Sequence, residues 1–441
     1  MKRIASFELA EAYLLETISE TLSPRTSYKL DRMRALLREL GDPHLQYPTI
    51  HVGGTSGKGS TCTMVAAALQ AAGRKTGLHT KPHLNSVTER ARVDGTCVSS
   101  ERFAELLDAM MPAIETVVAA GFGRPTYYET LLALAFVHFA RERVDVAVIE
   151  VGLGGRLDGT NVIVPEVAAI TSVGFDHTDV LGDSVEAIAR EKAGIAKRGV
   201  PLVVGDVGTA ALRVIEASAL EAGARPVRVR DRARIENATA DMAGQRFDVV
   251  TAAARYRLQT PLLGEFQRSN AAVAIVLLEQ LREALRPGVD AVEAAFSRVT
   301  IPGRMEVIAG APAVVFDIAH NPEKAEHLVA SLREIFGRRR FHFVVAIGES
   351  KDARQIVATL GTLPGTFTFT SFDTNGRRAI APEELGRIAQ SLGTFGRAIQ
   401  SPVQALASVR RSAGADDVIV VTGSTFVVAA LRDERAVAAA S

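Results

Sequence analysis

Short β-rich apolar runs alternate along the chain with longer helical segments. "TIHV" (49–52), "VDVAVIEV" (144–151), "EVAAITSV" (166–173) and "PLVVG" (201–205) read as strands, with helices near 59–72, 101–119, 126–141 and 184–197 between them. Strands separated by helices predict a parallel sheet with helices on both faces. The near-continuous apolar character of the strands fits a sheet buried on both sides.

The pattern changes at residues 226–260, where "RFDVVTAAARYRLQT" alternates and reads as a hairpin or edge strands. A long helix is expected over 265–285, a shorter one over 290–298, and a linker at "TIPGR" (300–304), where Pro and Gly together stop a helix. The α/β alternation then restarts, with strands at 312–319, 341–348, 366–372 and 417–423. The expectation is an α/β chain of two domains. Residues 1–299 would form a parallel-sheet, P-loop-type ATPase domain with a small β element, and 300–441 a smaller Rossmann-like α/β domain. The terminal "AVAAAS" reads as frayed, and "GRRRFH" (337–342) as a solvated loop before a strand.

Charge narrows the choice of partners. The 51 basic residues balance 50 acidic ones, a net charge of +1, so nothing draws the whole chain to nucleic acid or an anionic membrane. Any anionic ligand must be attracted locally. Two cysteines, Cys62 and Cys97, are too few for a disulfide framework and fit no zinc spacing. The N-terminal residues hold no apolar core of secretory type. No apolar run approaches the ~20 residues of a membrane span. A cytoplasmic protein is expected.

The candidate chemistry starts at "HVGGTSGKGSTCTMVAAALQAAG" (51–73), between a strand and a helix. Backbone N–H groups and a helix N-terminus converge at such a place and suit phosphate. Glycines let the backbone approach a ligand closely. Lys58 would reach the outer phosphates, and a following hydroxyl would meet Mg²⁺. The spacing departs from the ordinary P-loop: Val52 stands where the first glycine would fall, and Gly59 separates Lys58 from Ser60 and Thr61. Glu150 ends one apolar strand and His177 follows another, at the strand ends where α/β sheets bind ligands. A carboxylate there can hold Mg²⁺; the histidine reads either as structural or as a ligand. In "HTKPH" (79–83), Pro82 argues against a helix and so against a zinc pair. Cys62 reads as a small buried helix residue.

"GTSGKGST" (54–61) resembles the loop of the Mur ligase superfamily, in particular folylpolyglutamate synthase and dihydrofolate synthase. The likeness continues in order through "LHTKPHLNSVTERARVDG" (78–95), "PTYYETLLALAFVHFA" (125–140), "IEVGLGGRLDGTN" (149–161), "ITSVGFDHTDVLGDSVEAIAREKAGIAK" (170–197), "LLGEFQRSNAAVAI" (262–275), "IPGRMEVI" (301–308), "FDIAHNPEKAEHL" (316–328) and "VTGS" (421–424). The resemblance implies an ATP-dependent amide ligase. An acceptor carboxylate would take the γ-phosphoryl group of ATP, and an amino acid, L-glutamate, would displace phosphate from the acyl phosphate. It places Gly54, Thr55, Ser56, Gly57, Lys58, Gly59, Ser60, Thr61, Asn270, Arg304 and Asp317 at the nucleotide. Ser60, Glu150, His177 and Lys192 would lie at one or two Mg²⁺ ions, and Lys192 would be carbamylated. Lys58, His177, Lys192 and His320 would serve the chemistry, and Lys81, Pro82, His83 and Glu129 the acceptor.

The resemblance further implies a monomer acting on small molecules, dihydropteroate or reduced folate, without nucleic acid or membrane. A nucleotide site drawing on both domains would predict closure about residues 298–303. Two departures stand out. The family usually has Asn where Ser56 stands, and T-S-P-H-L where this chain has "TKPHL". Lys81 therefore leaves open a non-folate acceptor with an extra anionic group. A nucleotide-binding relative without catalysis is the third reading.

Overall fold

The structure, a computed structural model, describes residues 3–16, 30–374 and 377–432; the "AVAAAS" tail lies outside them. The chain forms two compact units. One comprises residues up to 236 together with 248–258 and 269–297; the other comprises 237–247, 259–268 and the chain from 298 onward. The segments 237–247 and 259–268 thus cluster with the second unit although they precede residue 300.

The first unit is built on an eight-stranded sheet. Its strands are β1 (Thr49–Gly53), β2 (Thr76–His79), β3 (Arg92–Val93), β4 (Thr96–Cys97), β5 (Val146–Glu150), β6 (Val167–Ile170), β7 (Pro201–Val204) and β8 (Arg225–Arg228), in the order β4-β3-β2-β5-β1-β6-β7-β8. From β2 to β8 every pairing is parallel; β3 and β4 add an antiparallel edge. Every residue of β1, β5 and β6 is buried, as their apolar runs require. The expected helices appear as Lys58–Ala71, Ser100–Ala119, Tyr127–Glu142 and Val185–Ala193. The last stops at Gly194, short of the expected 197.

Three strands, β9 (Ala233–Asp241), β10 (Gly244–Thr251) and β11 (Arg255–Thr260), form the small sheet expected over 226–260. The helix expected over 265–285 runs only from Glu265 to Glu279. Beyond it the Arg286 guanidinium donates back to the Leu281 carbonyl, closing a turn before Pro287.

The second unit carries a six-stranded sheet: β12 (Glu306–Ile308), β13 (Ala313–Phe316), β14 (Phe341–Val345), β15 (Gly365–Phe369), β18 (Gly396–Ala398) and β19 (Val418–Thr422), in the order β12-β13-β19-β14-β15-β18. A two-stranded pair, β16 (Asp373–Thr374) and β17 (Arg377–Arg378), stands apart from it. Only β12 runs antiparallel in the larger sheet, so this Rossmann-like sheet is mixed at one edge. Phe343 and Phe367, partners in register, stack with centroids 5.0 Å apart at the centre of its core. Arg338, Arg339 and Arg340 are exposed ahead of β14, the solvated loop expected there. Among the described residues no helix is long and apolar enough to cross a membrane.

Candidate active site

The loop between β1 and the Lys58–Ala71 helix lies at the C-terminal edge of the first sheet. Gly57 caps the helix at φ 83°, a left-handed conformation that suits glycine. A methyl group there would also lie 2.1 Å from Asn270 Oδ1, so Gly57 is required twice and Asn270 sits directly against the loop. Lys58 opens the helix and folds back, donating from Nζ to the carbonyls of Gly54 and Thr55 at 3.0 and 3.1 Å. Ser60 and Thr61 follow in the first turn, both buried.

The residues beyond β6 brace this loop. Thr171 Oγ1 donates to the Ser56 carbonyl at 2.6 Å, and the Ser56 amide donates to Ser172 Oγ at 2.8 Å. The Thr55 amide donates to the Ser172 carbonyl, and Thr55 Oγ1 accepts from the Gly174 amide at 3.0 Å. Sequence reasoning did not single out Thr171 or Ser172. The signal was there in two adjacent hydroxyls at the C-terminal end of a parallel strand.

Glu150 is buried at the end of β5. Its Oε2 accepts the Lys81 amide at 2.9 Å, and a methyl group on Gly59 would lie 3.3 Å from the same oxygen. One carboxylate thus touches both the helix that follows the glycine loop and the loop after β2. The Ser60 hydroxyl, one residue beyond Gly59, and the Glu150 carboxylate are hard oxygen donors of the kind Mg²⁺ takes. That ion keeps several waters and takes only one or two carboxylates from protein. Among the described residues, no group of three or more His, Cys, Asp or Glu that could hold a metal ion is gathered.

His177 is half-exposed and left-handed, at φ 52°, ahead of the short Thr178–Leu181 helix. Its amide bonds to Asp176 Oδ1. Lys192 is 3% exposed, so its side chain is buried rather than solvated. The adjacent Glu191 pairs with Arg156. Cys62 is buried, and burial raises its thiol well above the usual range, so it is a packing residue.

Residues 80–86, after β2, form no helix, a short 3-10 helix follows at Val87–Arg90, and the Lys81–Pro82 peptide is cis. His83 Nδ1 accepts from Arg90 Nε at 3.1 Å, and the Arg90 guanidinium lies over the Tyr127 ring. Below the loop, His79 is fully buried. Its Nδ1 bonds the Arg90 carbonyl at 2.7 Å, which fixes the proton on Nδ1 because a carbonyl only accepts. Burial first, then the Arg90 charge, lowers its pKa to about 3, so it is neutral. His51, bonded to Thr160 Oγ1, is also lowered to about 3, by burial and then by Lys197. Glu129 is placed in the capping box of the Tyr127–Glu142 helix, and its Oε2 also accepts from Arg32 Nε at 2.8 Å.

The second unit gathers Arg304, Asp317 and His320. Asp317 follows β13, fully buried, and each of its oxygens accepts one amide: Oδ2 from Met305 and Oδ1 from Ala319, both at 2.8 Å. Burial raises its pKa, while the Arg304 charge and the two amides oppose the shift. His320 Nδ1 bonds the Ile318 carbonyl, and its Nε2 lies 3.1 Å from Lys324 Nζ. Asn321 caps the Pro322–Phe336 helix beside them.

Comparison with known proteins identifies the family. The Mur ligase middle domain matches residues 52–278, and the Mur ligase glutamate ligase domain matches residues 303–425. The chain is 34% identical over 414 residues to the dihydrofolate synthase/folylpolyglutamate synthase of Bacillus subtilis, covering 91% of this chain and 94% of that one. It superposes on Escherichia coli FolC in complex with DHPP and ADP with a TM-score of 0.88 and 30% identity, over 100% of both chains. A bifunctional folylpolyglutamate synthase/dihydrofolate synthase with Mn, AMPPNP and L-glutamate bound gives a TM-score of 0.83 and 28% identity, over 98% of this chain and 99% of that one. The chain therefore belongs to the folylpolyglutamate synthase/dihydrofolate synthase family of Mur-type, ATP-dependent carboxylate–amine ligases.

Proposed function

We propose that this ligase joins L-glutamate to dihydropteroate, to a reduced folate, or to both, and that the loop around Lys58 holds the triphosphate of ATP. One observation carries the reading: Glu150 touches both the helix after the glycine loop and the Lys81 amide. This brings the loop suited to phosphate and the loop expected to hold the acceptor to one carboxylate. The names of relatives bound to ADP, DHPP and L-glutamate support the choice of substrates.

In this reading the loop amides and Lys58 bind the phosphates, and Lys58 would exchange its two carbonyl partners for phosphate oxygens. Ser60 and Glu150 would hold Mg²⁺, which supplies charge neutralisation on the phosphates. The acceptor carboxylate attacks the γ-phosphorus and ADP leaves. The glutamate amine then attacks the acyl carbon, inorganic phosphate leaves, and the ammonium proton passes to solvent. The work of the protein is positioning and electrostatics. Asn270, Arg304, Asp317 and His320 serve the nucleotide and its phosphates. Lys192, buried, is carbamylated: its neutral amine adds to CO₂ and releases a proton. An intact-protein mass or a density map showing an unmodified amine would refute that modification.

Lys81 favours a second reading, an acceptor bearing an additional carboxylate or phosphate, because it puts a cation where the family usually has a small hydroxyl. ATP-dependent phosphate release, followed by product mass, separates the readings. Release with dihydropteroate and L-glutamate supports the first, and release only with other acceptors supports the second. Under the second, Lys81→Ser raises the acceptor KM without changing ATP binding; an unchanged acceptor KM rules it out. ATP binding with no turnover on any acceptor would defeat both.

A further inference from the structure

The turn that carries Arg304 is held in an unusual way. Gly303 has φ 68° and Met305 has φ 46°, so Arg304 sits between two left-handed residues. Glycine adopts that conformation freely, but a buried methionine does so at a cost, and the surrounding structure must impose it. Met305 is only 1% exposed. Its amide is pinned by Asp317 Oδ2, and the Gly303 carbonyl accepts the Ile318 amide at 2.9 Å. That leaves the Gly303 amide, which donates to Glu306 Oε2 at 2.8 Å.

Glu306 is not free to move. Its two oxygens accept from Arg432 in a bidentate fork, Nε to Oε2 at 2.6 Å and Nη2 to Oε1 at 2.8 Å. Fork pairing fixes a carboxylate in orientation as well as in place, which a lysine could not do. Arg432 ends the Thr425–Arg432 helix, whose Val427, Val428 and Leu431 are buried. A packed helix therefore anchors a guanidinium, the guanidinium orients a carboxylate, and the carboxylate holds the amide beside Arg304. The chain of contacts spans 126 residues of sequence and lies within the second unit.

We infer that the Arg432–Glu306 pair is a positioning device for Arg304, setting the direction in which that guanidinium is presented. Neither Arg432 nor Glu306 touches the reacting groups; they act through the Gly303 amide. The inference rests on the proposal that Arg304 serves the phosphates of ATP.

The test is a double-mutant cycle on the full chain, with ATP, dihydropteroate and L-glutamate, read alongside hydrogen exchange of the Gly303 amide. Arg432→Ala should lower kcat about tenfold, since small misplacements of binding groups are costly in rate. In an Arg304→Ala background the same change should cost less than about twofold, because the residue it serves is gone. Arg432→Lys keeps the charge but loses the fork, and should recover only part of the rate. Glu306→Gln provides a milder second variant should Arg432→Ala fold poorly. In all three variants the Gly303 amide should exchange faster than in the parent.

An equal loss in both backgrounds would mark the pair as merely structural and overturn the inference while leaving the proposed function standing. Unchanged protection of Gly303 would overturn it as well. If Arg304→Ala left kcat intact, both the role of Arg304 and this inference would fall.

Discussion

The glycine loop of the first unit and the Gly303–Met305 turn of the second each hold a cationic side chain on left-handed backbone. Gly57 precedes Lys58 at φ 83°, and Gly303 and Met305 flank Arg304. Their braces differ in charge. Thr171 and Ser172, both neutral, hold the first, and the neutral Asn270 lies against it. Two carboxylates, Asp317 and Glu306, hold the second. Under the proposed function the loop surrounds a triphosphate, and neutral braces spare the ligand added repulsion; the nearby carboxylate, Glu150, lies against the helix beyond the loop, where Mg²⁺ would offset it. The second turn tolerates carboxylates because their oxygens are already engaged: those of Asp317 by two amides, those of Glu306 by Arg432 and the Gly303 amide.

The largest expected effect tests the first half of this comparison. Lys58→Ala should lower kcat by about 10²–10³, the usual loss when one preorganised charge is removed from a reacting centre. Folding should be little affected, since the hydrogen bonds described for Lys58 Nζ are to carbonyls of its own loop. Phosphate release and a thermal melt measure the two separately. A small kinetic effect would mean the loop is a structural turn after all.

The second test uses acid, where His79 and Asp317 differ in sign. His79 is held to about 3, against about 6.5 in an unfolded chain. Between those values the unfolded chain takes up a proton that the folded chain does not, so stability falls as pH drops from about 6.5 toward 3. His51 contributes in the same direction. Asp317 contributes oppositely. Its pKa is raised by burial, so its share of stability falls as pH rises from the ordinary carboxylate value to the raised one. In urea unfolding, His79→Phe should flatten the acid slope by about 1.4 kcal/mol per pH unit below pH 6.5. Equal slopes in parent and variant would show that His79 takes up its proton in the fold.

Much of this was legible in the sequence. The apolar runs ending at Gly53, Glu150 and Ile170 gave away the parallel sheet and its ligand-binding edge, because burial on both faces leaves no room for polar alternation. The glycines around Lys58 marked a loop by what they lack. The hidden parts depend on contacts that spacing does not encode. β2, "TGLH", is four residues with a glycine inside, and it is a strand because β5 pairs with it. Thr171 meets Ser56 from 115 residues away, and Arg432 meets Glu306 from 126. Such pairs exist only once two sheets have fixed the ends of their strands.

The smallest expected effect asks whether the neutral braces matter individually. Thr171→Val keeps the shape of the side chain and removes its hydroxyl, leaving the half-buried Ser56 carbonyl without that 2.6 Å donor. Stability should fall by about 1 kcal/mol, the ordinary net worth of one hydrogen bond. Ser172 Oγ also donates to the Ser56 carbonyl, at 3.1 Å, and so limits the loss. Ser172→Ala removes that donor as well as the acceptor for the Ser56 amide. The pair should therefore be non-additive, with the second substitution costing more in the absence of the first. ATP affinity should track the loss, because the loop carbonyls and amides move as one. If Thr171→Val weakened neither stability nor ATP binding, the glycine loop would hold its shape through its own backbone, and the contrast with the carboxylate-braced turn would reduce to Arg304 alone.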